Sequence, residues 1–301
     1  MIKSSLKYLP EFDVYLVDAY GPFIGKNGVL KSAIAVMAEL VAKGKQVHVL
    51  SNGTNLSTTA MDSYARKGLF KGKHYNTILT SGQFAYEEIQ SQKLPVTGYK
   101  LYCFGTANFK KPEKLPAIFN DSVYSVVDTI EDADFAYCGI PQINGEDRLE
   151  VDEFLPELQR IKKAGLTLVC ANPDLRVNEG GQFVVRQGTI AQIYEEMGGN
   201  VVRYGKPDVG VFERVLQDYK GSREKVLMIG DTLGTDILGA NRAGIKSCLV
   251  LDGGVTEYTL QQQGRSVSEE SVKDLILSQE ARPDFICRRM SENNDCLKSV
   301  A

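Results

Sequence analysis

Short runs rich in Val, Ile and Leu alternate with stretches of helical period along most of this 301-residue chain. VYLV (14–17) is followed by a helical stretch at 31–43, QVHVL (46–50) by one at 58–67, and NTIL (76–79) by one at 83–92. An unbroken apolar run of this length suits a strand buried on both faces, and a helix between two such runs brings the next strand in parallel. The rhythm returns late, with helical stretches near 188–197, 208–219 and 235–243 separated by VVRYG, KVLMIG and KSCLVL. Between the two halves, YKLYCFG, VYSVV, DFAYCGI and LTLVCAN read as further strands, with a helix near 150–163. The alternation predicts an α/β chain: a parallel-sheet core formed by residues 1–80 and 184–301, interrupted by a second α/β unit at 81–183. The polar tail from 255, with a weak helical pattern at 268–279, is expected to wrap the outside.

Composition narrows the function classes. A formal charge of −3 with mixed signs gives no field suited to nucleic acid or an anionic membrane, so the reading turns to small-molecule chemistry. The opening MIKSSLKYLPEF has no apolar stretch of the signal-peptide kind, and no apolar run approaches the roughly 20 residues of a membrane span. A soluble cytoplasmic protein is the expectation. Six cysteines show no CxxC pair, and Cys103, Cys138, Cys170 and Cys248 sit inside apolar runs, as core thiols do; neither a disulfide framework nor a zinc site is indicated. His48, inside a strand, reads as a core histidine and His74 as a solvated loop residue; FKKPEK (109–114) and CRRM (287–290) read as charged surface. Neither GxGxxG nor a Walker loop is present, so nucleotide binding through those devices is unsupported.

In open parallel sheets ligands lie at the carboxyl ends of the strands, so the residue after each strand is the place to look. VYLV delivers Asp18, QVHVL delivers Ser51 and Asn52, VVRYG leads to Lys206, and KVLMIG delivers Asp231 with Asp236 five residues on. The set supplies a carboxylate nucleophile, a hydroxyl and an amide to hold oxygens, a cation, and two more acids spaced to hold a divalent metal. Magnesium takes a few carboxylates together with water and phosphate oxygens, so the constellation reads as phosphoryl transfer. Asp18 and a phosphate dianion repel, and attack requires the metal and Lys206 to neutralise both. Loss of one such charge contact typically costs about 3 kcal/mol of transition-state stabilisation.

The segments YLVDAYG (15–21), HVLSN (48–52), YGKP (204–207) and IGDTLGTDI (229–237) resemble, in order, the four motifs of the haloacid dehalogenase (HAD) superfamily of phosphatases. The gap from Asp18 to Ser51 is too short for a cap domain and the gap from Asn52 to Lys206 is long enough. That arrangement is similar to the class IIA branch, which includes NagD-like, sugar, pyridoxal, phosphoglycolate and nitrophenyl phosphatases. ANPD (171–174), GTIAQIYEEMGG (188–199) and GKPDVGVFERV (205–215) fit the same branch. The resemblance implies a Rossmann-like core with an α/β cap inserted between the second and third motifs. It implies Asp18 as nucleophile and magnesium ligand, the Tyr20 carbonyl as a second ligand, and Asp231 and Asp236 as the remaining metal acids. Ser51, Asn52 and the Gly53 amide would hold the phosphoryl group, and Lys206 would bridge it to Asp18. The implied reaction is Mg2+-dependent hydrolysis of a small phosphorylated metabolite, such as a sugar phosphate, through an aspartyl-phosphate. A homodimer is implied by the branch alone.

One position departs from the family. Two residues after the nucleophile the phosphatases carry a second Asp, which protonates the leaving oxygen and then activates water; here it is Tyr20. A phenol with an ordinary pKa near 10 is a poor base at neutral pH, and general acid–base help is worth about 10²–10⁴-fold, so slow turnover is expected. A weakly active or inactive binding or regulatory protein on this fold is one alternative. DAYG also resembles the first motif of the 2-haloacid dehalogenases, although a metal site is superfluous for an apolar haloacid and their cap lies between the first two motifs. The substrate-facing side of the cap is expected from 139–148 and 172–183, with Asp147, Arg148 and Arg176 as candidate contacts.

Overall fold

The computed structural model describes residues 1–105 and 115–292; FKKPEK and Cys296 lie outside the described residues. The chain divides into two compact units: the first comprises Met1–Ser51, Thr58–Leu79 and the chain from Phe212 onward, the second Asn52–Ser57 and Thr80–Val211.

The first unit is built on a six-stranded sheet in the order Phe285–Cys287, Lys246–Val250, Val226–Gly230, Val14–Val17, Gln46–Ser51, Thr77–Thr80. Val14–Val17 is buried throughout and pairs in parallel with both Gln46–Ser51 and Val226–Gly230, which is why its sequence is apolar without alternation. The helix Lys31–Ala42 turns Ala33 and Met37, one helical turn apart, into the cluster that contains Val17, Val49 and Ile229. The chain lays its early strands to one side of Val14–Val17 and its late strands to the other. The strand order therefore reverses at the pair Val14–Val17 and Val226–Gly230, where α/β sheets open a crevice at their carboxyl ends.

The second unit has a five-stranded parallel sheet in the order Val201–Arg203, Leu168–Cys170, Phe135–Cys138, Lys100–Phe104, Ser125–Val127. Its strands alternate between two cores. Leu101, Cys103, Phe135 and Tyr137 pack on one face, and Phe104, Ala136, Cys138 and Leu168 on the other.

Three expectations need correction here. Val201–Arg203 does not rejoin the first sheet; it pairs with Leu168–Cys170, and the preceding helix Gln187–Glu196 buries Ile190, Ala191 and Tyr194 in the second unit's core. Residues 184–211 therefore belong with the second unit rather than with the core. The tail is more than a wrapping: Phe285–Cys287 closes the edge of the first sheet, and the helices Val255–Gln262 and Glu269–Leu277 bury Leu260, Val272 and Leu275 with Leu249 and Leu251. His74 is buried, its Nδ1 accepting from the Phe70 N–H at 2.9 Å. His48 is a core histidine as expected, with Nδ1 2.6 Å from the Thr77 hydroxyl. No described helix is long and apolar enough to cross a membrane.

Candidate active site

At the point of reversal the sheet delivers two acids side by side. Val17 and Ile229 are register partners, and the Asp18 N–H continues the ladder by donating to the Ile229 carbonyl at 2.9 Å. Asp231 follows Gly230, the last residue of the neighbouring strand. The chain then enters a π-helical turn, Leu233–Ile237, a wider turn than the α-helix and one that recurs at functional sites. That turn carries Asp236 back under the strand end, where its Oδ2 accepts from the N–H groups of Asp231 and Thr232, each at 3.1 Å. Asp231 is held in turn by the Val255 N–H on Oδ2 at 2.7 Å and the Thr232 hydroxyl on Oδ1 at 3.0 Å.

One carboxylate oxygen from each of Asp18, Asp231 and Asp236 lies within 4.8 Å of the other two, and all three residues are buried. The approach depends on missing side chains. A Cβ on Gly21, whose φ of +88° already excludes most residues, would sit 2.5 Å from the Asp231 carboxyl carbon, and one on Gly230 would sit 2.1 Å from that of Asp236. Hard oxygen donors in this number suit a divalent cation such as magnesium or calcium.

Within the second unit, Asn52 and Lys206 are both 1% exposed and lie together. The Lys206 N–H donates to Asn52 Oδ1 at 2.8 Å, and Asn52 Nδ2 donates to the Lys206 carbonyl at 3.1 Å and to Asp174 Oδ1 at 2.8 Å. The Gly53 carbonyl accepts from the Gly82 N–H at 3.0 Å and the Ser81 hydroxyl at 3.1 Å. The predicted residues thus fall into two groups. Asp18, Asp231 and Asp236 meet in the first unit, where Ser51 ends the strand next to Val14–Val17; Asn52, Gly53 and Lys206 belong to the second.

Residues 98–244 match the family model of the haloacid dehalogenase-like hydrolases, and 203–292 match that of HAD-hydrolase-like proteins. The chain belongs to the haloacid dehalogenase-like hydrolases. This hydrolase is 25% identical to phosphoglycolate phosphatase 2 of Arabidopsis thaliana over 298 residues, covering 88% of this chain and 92% of the relative. It is 30% identical to glycerol-3-phosphate phosphatase of Homo sapiens over 132 residues, a match spanning 42% of this chain and 38% of that protein. The fold is similar to that of a haloacid dehalogenase-like hydrolase from Brucella suis, with a TM-score of 0.78, 21% identity, and coverage of 96% and 100% of the two chains.

Tyr20 of this hydrolase sits in the turn after Val14–Val17. The turn is closed by the Gly21 N–H on the Ile24 carbonyl at 2.9 Å and the Ile24 N–H on the Ala19 carbonyl at 2.9 Å. The Tyr20 side chain is half-buried and packs against the first unit's apolar cluster.

The three candidate cap residues are occupied by structural partners. Arg176 donates to the Phe183 carbonyl at 3.1 Å within the hairpin Arg176–Glu179 and Gln182–Val185. Arg148 pairs with Glu153 at 2.7 Å. Asp147 accepts from Gln142 at 2.9 Å and from Arg186 at 2.9 Å. Arg186, absent from the sequence reading, is buried and also pairs with Glu179 at 3.0 Å, so it ties Asp147 to the hairpin. A lone Arg inside VVRQGT gives no pattern that would single it out. The sequence does not single out the holding groups Thr232 and Val255 either; the Thr in IGDT is the one signal available for them.

Proposed function

We propose that this hydrolase is a Mg2+-dependent phosphomonoesterase acting on a small phosphorylated metabolite such as a sugar phosphate. The observation that carries the reading is the meeting of Asp18, Asp231 and Asp236 within 4.8 Å. Charges so placed repel by about 3 kcal/mol per pair at an effective dielectric near 20, a cost that a bound divalent cation offsets. Asp18, Asp231 and Asp236, with the Tyr20 carbonyl, would hold the metal, which when bound supplies charge neutralisation at the phosphoryl oxygens.

The chain's own groups do the remaining work in this proposal. Asp18 attacks phosphorus in line, the bond to the leaving oxygen breaks, and an aspartyl-phosphate on Asp18 is then hydrolysed by water. The Ser51 hydroxyl and the Gly53 amide donate to phosphoryl oxygens, and Lys206 supplies the balancing positive charge. Names among the relatives, phosphoglycolate phosphatase and glycerol-3-phosphate phosphatase, support small phosphate monoesters as the substrate class. The acidic cluster weighs against a dehalogenase, because a halide leaves without a proton and without a divalent cation.

The test is phosphate release across a panel holding phosphoglycolate, glycerol 3-phosphate, sugar phosphates and p-nitrophenyl phosphate, each with Mg2+. Release from at least one member, abolished in Asp18→Asn, is expected. Tyr20 favours a second reading, a protein that binds phosphorylated ligands with little turnover, because a phenol packed on the apolar cluster is a poor proton carrier. Saturable binding of the panel without release would select it.

A further inference from the structure

We propose that the side chain of Asn52 is a positioning group for Lys206 and not a contact of the phosphoryl group. The proposal rests on the reading of Lys206 as the cation of the phosphatase reaction. It starts from a count of hydrogens. A carboxamide has two N–H donors, and those of Asn52 are both committed: one to the Lys206 carbonyl at 3.1 Å, the other to Asp174 Oδ1 at 2.8 Å. The remaining polar atom, Oδ1, accepts the Lys206 N–H at 2.8 Å. Nothing on this side chain is left to donate to a phosphoryl oxygen, and an acceptor oxygen facing a phosphate would repel it.

The same bonds do something else. The amide grips the N–H and the C=O of one residue, which fixes the direction in which that residue's Cβ leaves the backbone. A lysine has a long, rotamer-rich stem, and a fixed root removes much of the freedom its ammonium would otherwise have. Asp174 decides which way round the amide sits, since a carboxylate accepts only from the NH2 end. Asp174 is itself held, its N–H donating to Asn172 Oδ1 at 2.9 Å, so the ANPD segment becomes a brace for Asn52. Gly205 completes the device: its φ is +122°, and a Cβ there would lie 2.6 Å from Asn52 Oδ1 and 2.8 Å from the Pro173 ring. Only glycine lets the amide close on Lys206.

The test is a double-mutant cycle in the full chain, with p-nitrophenyl phosphate and Mg2+, on wild type, Asn52→Ala, Lys206→Met and the double variant. Asn52→Ala is expected to lower kcat about 10- to 100-fold, as misplacing a reacting group does, with KM changed less than about threefold. In the Lys206→Met background the same change should cost less than about threefold, because its effect passes through the lysine. Asn52→Leu, close to the amide in shape but without its donors and acceptor, should match Asn52→Ala; it replaces that variant in the cycle if Asn52→Ala lacks a cooperative melt. Equal losses in both backgrounds, a raised KM with kcat kept, or wild-type kinetics in Asn52→Ala would each overturn the assignment. Absence of wild-type turnover on every panel substrate would instead defeat the phosphatase reading, and this assignment with it.

Discussion

Asp236 is bonded to the peptide of Asp231: its Oδ2 accepts the Asp231 N–H at 3.1 Å and, at the same distance, the N–H of Thr232. An acid five residues along the chain therefore shapes the turn and supplies the third carboxylate of the cluster. The two roles separate by substitution. Asp236→Asn keeps an acceptor oxygen for both amides and should cost less than about 1 kcal/mol of stability. Asp236→Ala strands two buried donors and should cost about 2 kcal/mol or more in urea unfolding. Both variants should lose metal affinity. Equal stability of the two would deny the turn-shaping role.

His48 makes stability depend on pH. Burial pushes its pKa down to about 4 from the usual 6.5, so the folded state holds it neutral where the unfolded chain would protonate it. The sign follows from proton counts: between pH 6.5 and about 4 the unfolded state binds more protons, so stability rises with pH across that window. Above pH 6.5 the penalty is absent; below about pH 4 it is complete, about 3 kcal/mol at most. His48→Gln should flatten the difference in urea midpoint between pH 7.5 and 5. An unchanged difference would show that His48 is not its source.

Tyr20→Asp should raise turnover of a phosphomonoester by at least tenfold, because in the proposed reaction an acid at this position would protonate the leaving oxygen. The check is kcat at pH 7 for a substrate with a poor leaving group, such as glycerol 3-phosphate. No rise would mean that proton transfer is not what limits this hydrolase.

Arg186→Met should destabilise the second unit by about 1–2 kcal/mol, since it removes the partner of Asp147 and Glu179 at 2.9 and 3.0 Å. Both acids keep some solvent contact, which limits the penalty. Chemical denaturation followed by Tyr fluorescence measures it, and a loss below about 0.3 kcal/mol would mark the cluster as ornamental.

The strands and the acids were legible for one reason: both are written locally. VYLV and KVLMIG announce buried strands by composition, and an Asp directly after each needs no tertiary knowledge to be placed at a strand end. What failed was partnership. Val201–Arg203 is a short apolar run that either sheet could take, and only its register with Leu168–Cys170 assigns it to the second unit. Phe285–Cys287 was passed over because three residues among Arg, Pro and Asp carry too little apolar signal, yet pairing with Lys246–Val250 makes them a strand. The motif resemblance implies a phosphate contact at Asn52, while the engagement of both its side-chain N–H groups with Lys206 and Asp174 is a matter of coordinates, not of spacing.

The measurement closest to the centre of the account is a calorimetric titration of Mg2+ into the chain, compared with Asp231→Asn. Wild type should bind one ion, and the variant, with its circular dichroism intact, should bind at least tenfold more weakly, since one of three buried carboxylates has lost its charge. Wild type that takes up no ion, or a variant that binds as tightly as wild type, would contradict the claim that Asp18, Asp231 and Asp236 form a metal centre.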